Sequence, residues 1–216
     1  MEFSLECEGM LFDLDGVLVD SGPSVEYVWS QWATEKGIAP ESALAIVHGR
    51  RTADTVRALQ PTADVEVEAR RLEDWEVADA HRVLPAPGVL ALLASLPPDR
   101  WGIVTSGTVR LASARLSQAG VPIPKVFVTA GDVREGKPSP ECYLLGAKRL
   151  GLDPARCAVI EDAPAGIRAG RAAGATVIGV ATTHDLDELS EANHRLPNLT
   201  HLRAEEVVSG IRLIGS

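Results

Sequence analysis

The chain has 216 residues, 45% hydrophobic and 24% charged, the make-up of a globular chain with one domain or a core plus a smaller insert. A net charge of −9, from 21 Lys and Arg against 30 Asp and Glu, leaves no basic stripe to release counterions from phosphates, so nucleic acid is excluded as the expected partner. No apolar run approaches the ~20 residues of a membrane span, and residues 1–6 carry acids where a secretory leader needs basic residues. Cys7, Cys142 and Cys157 are odd in number and spaced for neither a zinc site nor a disulfide framework, so a reducing cytoplasm is the expected setting, for a monomer or weak homodimer.

In chain order, the first buried strand is expected at residues 10–14. Residues 22–84 then carry only helical patterns. Val25, Val28, Trp29 and Trp32 share one helix face. Thr52 is placed to cap a helix that runs to Leu59 and is halted by Pro61, and a longer polar helix bearing Trp75 is expected over 64–82. The four tryptophans read as packing residues. Residues 19–23 and 83–88 are the outgoing and return linkers. Beyond them strands at 102–105, 126–130, 158–160 and 177–181 alternate with helices at 89–96, 109–119, 140–150 and 163–173. Pro97-Pro98 ends the first of these helices, and Gly120, Gly151 and Gly174 end the other three. An edge strand near 201–202 and a closing helix over 204–211 complete the expectation. The alternation predicts an α/β fold: a Rossmann-like parallel sheet sandwiched by helices in residues 1–21 and 85–216, with a helical bundle, 22–84, inserted after the first strand.

In such sheets ligands gather beyond the carboxyl ends of the strands. The residues expected there are Asp13, Asp15, Thr105, Ser106, Glu161 and Asp162. Asp13 and Asp15, two apart at the end of an apolar run, are able to face one reaction centre. The alternative is a polar turn after a strand. Glu161-Asp162 would complete a metal site of hard oxygens, or Asp162 would cap the next helix. Thr105-Ser106-Gly107-Thr108 opens a helix as an anion cradle, or as a plain cap by Ser106 or Thr108. Lys137 is a solvated loop lysine unless the acids converge on a phosphate, which needs a positive partner. His48, Arg50 and Arg51 form a polar basic cluster before the Thr52 helix, either a solvated turn or a substrate-facing loop. His81, His184, His194 and His201 show no ligand spacing and read as surface residues.

Together these pieces resemble the haloacid dehalogenase superfamily of phosphohydrolases. Asp13-Leu14-Asp15-Gly16-Val17-Leu18-Val19-Asp20-Ser21 is similar to its first motif, Thr105 to the second, Lys137 to the third and Glu161-Asp162 to the fourth. The inserted helices look like the small helical cap of one subclass. Glu161-Asp162-Ala163-Pro164-Ala165-Gly166-Ile167 and His48-Gly49-Arg50-Arg51-Thr52 resemble the branch of sugar- and polyol-phosphate phosphatases, including 2-deoxyglucose-6-phosphate and glycerol-phosphate phosphatases.

The resemblance implies Asp13 as nucleophile through an aspartyl-phosphate, and Asp15 as general acid and base. It implies Lys137 between phosphoryl group and Asp13, with Thr105 hydroxyl, Ser106 amide and Gly107 around the phosphoryl oxygens. Mg²⁺ is expected on Asp13, the Asp15 carbonyl, Asp162 and Glu161. A small phosphorylated sugar or polyol is the expected substrate, with His48, Arg50 and Arg51 facing it. The competing reading is a β-phosphoglucomutase-like phosphomutase. A third, non-enzymatic reading is a phosphorylatable receiver-like switch.

Overall fold

The computed structural model describes residues 2–216. Strands β1 (Phe3–Cys7), β2 (Gly9–Phe12) and β3 (Val19–Asp20) lead into helices α1 (Gly22–Glu35), α2 (Pro40–Val47), α3 (Thr52–Leu59) and α4 (Val65–Ala78). The chain returns through β4 (Leu84–Pro85), α5 (Val89–Ala94), β5 (Trp101–Val104), α6 (Val109–Ala119) and β6 (Val126–Val128). It continues with α7 (Glu141–Leu150), β7 (Cys157–Glu161), α8 (Pro164–Ala172), β8 (Thr176–Val180), β9 (His194–Leu196), β10 (Leu202–Val207) and β11 (Gly210–Gly215).

Six parallel strands form the main sheet in the order β6-β5-β2-β7-β8-β9. Strands β2, β5 and β7 are buried along their whole length, which explains why they read as unbroken apolar runs. The period of two sorts their side chains between two cores. Phe12, Ile103 and Ile160 pack on one face, and Leu11, Val104 and Val159 on the other.

Helices α1–α4 enclose a third core built on Val25, Val28, Trp29, Trp32, Val56 and Leu72. Trp29 and Trp32 meet edge to face at 5.6 Å. Each buried indole removes roughly 200 Å² from water, on the order of 5 kcal/mol before entropic costs. The two linkers pair as an antiparallel ribbon, Val19 opposite Pro85 and Asp20 opposite Leu84, so the insertion leaves and rejoins the sheet at one point.

Several expected elements differ. The polar helix stops at Ala78, and Ala80–Arg82 forms a separate 3₁₀ turn; Asp64 caps its start by accepting from Val67 N. Arg51, not Thr52, holds the cap position of α3, with no side-chain cap bond. The closing helix over 204–211 is overturned: β10 and β11 form a hairpin there, and β1 pairs with β11, Phe3 opposite Gly215. Ile211 and Leu213 face inward at a period of two, and the chain start supplies a partner strand that a local reading cannot see. Strand β9 was likewise unforeseen and extends the parallel sheet.

Candidate active site

Strand β2 lies between β5 and β7, with Phe12 opposite both Ile103 and Ile160. The next residues on each strand therefore reach the carboxyl edge together, and Asp13 N donates to Ile160 O at 3.0 Å. Lys137, from the segment between β6 and α7, is buried among them. Its Nζ donates to Asp13 Oδ1 and to Glu161 Oε1, both at 2.6 Å, and to Val104 O at 3.3 Å. Glu161 is held from every side. Tyr143 OH donates to its Oε1 at 2.6 Å, and the amides of Asp162 and Ala163 donate to Oε2. A Cβ on Gly166 would overlap this carboxylate. Gly16 has φ +76°, and a Cβ there would overlap the Asp162 carboxylate, so the turn after Asp15 requires glycine twice over.

Asp13, Glu161 and Asp162 each present a carboxylate oxygen within 4.8 Å of the others. Thr183 hydroxyl donates to Asp162 Oδ2, whereas Asp162 Oδ1 is buried without a hydrogen-bond partner. Three carboxylates against one ammonium leave two negative charges. At ~4 Å each like-charged pair costs about 4 kcal/mol at an effective dielectric of ~20. The deficit sets the direction in which these groups shift. Burial, helped by Glu161 and only partly opposed by Lys137, pushes Asp13 up to about 7. Burial and the charges of Glu161 and Asp13 push Asp162 well above the usual carboxylate range. Burial pulls the Lys137 ammonium down, but Asp13 and Glu161 outweigh it and hold Lys137 above its ordinary value. An all-oxygen donor set with a deficit of two charges and an orphaned buried acceptor fits a hard divalent cation.

The Asp15 carboxylate lies apart from that cluster and pairs with Arg115 Nη1 at 2.8 Å; Arg115 Nη2 donates to Glu76 Oε1 at 2.9 Å. Thus α6, α4 and the loop after β2 meet in one ionic chain. Arg115 and Glu76 were missed from the sequence. A signal existed: Arg115 falls within the buried stripe of Leu111, Ala112, Leu116 and Ala119, and a charge on an apolar stripe needs a partner.

Thr105 is buried, and its Oγ1 accepts from Gly107 N at 3.0 Å, which leaves the hydroxyl proton free. Ser106 Oγ donates to Gly49 O in the inserted helices at 3.1 Å. Thr108 is the cap of α6, and Ala163, not Asp162, holds the cap position of α8. His48 is half-buried, and burial followed by its neighbour His184 lowers its pKa. Arg50 is exposed. Arg51 turns away: it donates to Val133 O at 2.8 Å and Arg134 O at 2.9 Å, so it is a tether between insertion and core, not a residue of the cavity. His184 is a correction in the opposite sense. It is no isolated surface residue; its Nδ1 lies 3.1 Å from Asp162 O, and its ring meets His48 edge-on at 6.0 Å. Its position just past β8, at the same sheet edge, was the available signal.

A cavity of about 50 Å³ lies between insertion and core. The core contributes Asp13, Asp15, Asp162, Thr105 and Arg115 to its wall; the insertion contributes Trp29, His48 and Glu76. Further ties hold the two parts together: Thr108 Oγ1 donates to Glu73 at 2.8 Å, and Arg110 pairs with Asp74 at 2.5 Å.

A model of the haloacid dehalogenase-like hydrolase family matches residues 7–174. The chain is 45% identical over 211 residues to hexitol phosphatase A of Escherichia coli (strain K12), covering 95% of this chain and 98% of that protein. It is 38% identical over 200 residues to glycerol-1-phosphate phosphohydrolase 2 of Saccharomyces cerevisiae, covering 87% of this chain and 80% of that one. Among solved structures, a β-phosphoglucomutase of Clostridium difficile superposes with a TM-score of 0.77 at 24% identity, covering 89% of this chain and 92% of the other, a likeness of fold alone.

Proposed function

The chain belongs to the haloacid dehalogenase-like hydrolases, and we propose that it is a Mg²⁺-dependent phosphatase of small sugar or polyol phosphate monoesters. The observation that carries this reading is the two-charge deficit of Asp13, Glu161 and Asp162 around the buried Lys137. The names of the two relatives, a hexitol phosphatase and a glycerol-1-phosphate phosphohydrolase, support the substrate class.

Asp13 attacks phosphorus, so a bond forms from its carboxylate oxygen as the ester bond to the alcohol breaks. Asp15 gives its proton to the departing alkoxide, then takes one from the water that releases phosphate and restores Asp13. Lys137 fixes the Asp13 carboxylate by one short hydrogen bond and cannot itself cancel the remaining charge. The free proton of Thr105 Oγ1 and the Ser106 amide face the phosphoryl oxygens. Asp13, Asp162, Glu161 and the Asp15 carbonyl would hold Mg²⁺, which when bound offsets the charge gathered on the phosphoryl oxygens. Residues 22–84 act as a cap: a cavity of about 50 Å³ has room for one or two waters, so the insertion must lift to exchange substrate.

The test is a screen of hexose, pentose and polyol phosphates read by phosphate release, with and without Mg²⁺. Release from polyol and sugar phosphates, abolished by exhaustive chelation and restored by Mg²⁺, is the expected result. Isomer formation in place of phosphate release would move the chain to the phosphomutases. Turnover indifferent to chelation would overturn the charge argument.

A further inference from the structure

The ionic chain Asp15–Arg115–Glu76 is not explained by phosphoryl chemistry, because neither Arg115 nor Glu76 touches the acid cluster. Both line the cavity and both are 3% exposed, as buried as Asp13. Two donors in the same wall are left over. Arg115 Nε is buried with no partner, since Asp15 and Glu76 take the two Nη atoms. Trp29 Nε1 is buried and makes no well-formed hydrogen bond, although its indole lies beside the Glu76 carboxylate. Buried polar atoms without partners are costly, by about 1–3 kcal/mol each. A latch that only joined cap to core has no use for them, and the part-buried Thr108–Glu73 bond and the exposed Arg110–Asp74 pair already serve that purpose.

We infer that Glu76, Arg115 and Trp29 form a hydroxyl-reading subsite for the leaving alcohol, at the carbon next to the esterified one. The placement follows from Asp15. In the proposed reaction Asp15 meets the oxygen that leaves phosphorus, and Arg115 touches Asp15 at 2.8 Å. The next polar contact outward, Arg115 to Glu76, is reached at 2.9 Å, one short step along the substrate. A hydroxyl there finds an acceptor in Glu76 and donors in Arg115 and Trp29, which uses the atoms that are otherwise orphaned. The favoured class is therefore phosphate esters with a hydroxyl on the adjacent carbon, as in glycerol 1-phosphate and the hexitol phosphates. This inference rests on the phosphatase reading above and makes it more specific.

The test compares two esters that differ only in that hydroxyl: 1,2-propanediol 1-phosphate and n-propyl phosphate. A buried site built to bond a hydroxyl rejects the analogue lacking it far more strongly than an apolar pocket rejects a missing methylene. The native enzyme should favour the diol ester at least ~100-fold in kcat/KM. Trp29→Phe keeps the packing and removes one donor; Glu76→Gln keeps the shape and alters the acceptor. Each should shrink the preference by about 10-fold or more, chiefly by losing the diol ester. Melting temperatures and circular dichroism identify a variant that fails to fold, in which case the other variant and the native ratio decide. A native enzyme that hydrolyses both esters equally, or folded variants that keep the native ratio, would overturn the subsite. A native enzyme that releases phosphate from neither, nor from any sugar or polyol ester, sinks the phosphatase reading itself, which is a separate outcome.

Discussion

Two walls of the cavity are assembled in different ways. On the core wall, Asp13 and Glu161 sit at neighbouring strand ends, and hydrogen-bonded register brings them level before any side chain chooses a rotamer. Around Glu161 every oxygen is satisfied within the chain, and what is missing is two units of charge. On the wall that the insertion completes, Glu76, Arg115 and Trp29 project from three helices, and what is missing is partners for two donors. In the proposed reading one wall serves a cation and a phosphoryl group, the other a hydroxylated ligand. A parallel sheet supplies reaction geometry from backbone, while recognition is left to helix surfaces that vary without disturbing the register.

The sharpest way to break this contrast is at the core wall. Asp13→Asn preserves shape and removes the proposed nucleophile, so turnover should fall by at least ~10³-fold while the melting temperature stays within a few degrees. Acyl-phosphate detected by mass spectrometry in that variant would remove Asp13 from its role.

The charge deficit makes a second prediction. Without metal, the folded state holds Asp13 at about 7, above its ordinary 3.8, so the fold keeps a proton that the unfolded chain has released. Stability of the metal-free protein, as far as this group is concerned, should therefore be greatest below about pH 4 and be lost progressively as the pH rises through 7. Mg²⁺ must displace that proton, so it should raise the melting temperature more at pH 8 than at pH 5. Equal thermal shifts at the two pH values would show that the acids do not act as a proton-competing metal cluster.

The smallest effect belongs to the tethers. Arg51→Ala removes two charge-assisted hydrogen bonds to backbone carbonyls and should weaken docking of the insertion by about 1–2 kcal/mol. Hydrogen exchange should quicken in α2 and α3 and leave β2 and β7 protected. Uniform exchange rates across both parts would mean that the insertion and the sheet open as one unit.

What could be read from the chain alone follows from local physics. Buried parallel strands have to be continuous apolar runs, and the residues ending them have to gather at one sheet edge; Asp13, Asp15, Thr105 and Glu161-Asp162 were legible for that reason. Glycine and proline punctuation placed α6 and α7, whose left-handed caps at Gly120 and Gly151 the structure contains. The C-terminal hairpin was not legible, because Ile211 and Leu213 acquire their buried face only when β1 returns from the far end of the chain. Nor were Glu76 and Arg115, 39 residues apart, since a charge on a helix face declares a need for a partner without naming it. Arg51 and His184 exchanged their expected roles for the same reason: the direction in which a loop side chain turns is settled by which elements pack beside it. Sequence determined the strand ends and their chemistry; only three-dimensional packing decided which helix-borne groups would face them, because side-chain contacts between distant segments leave no periodicity behind.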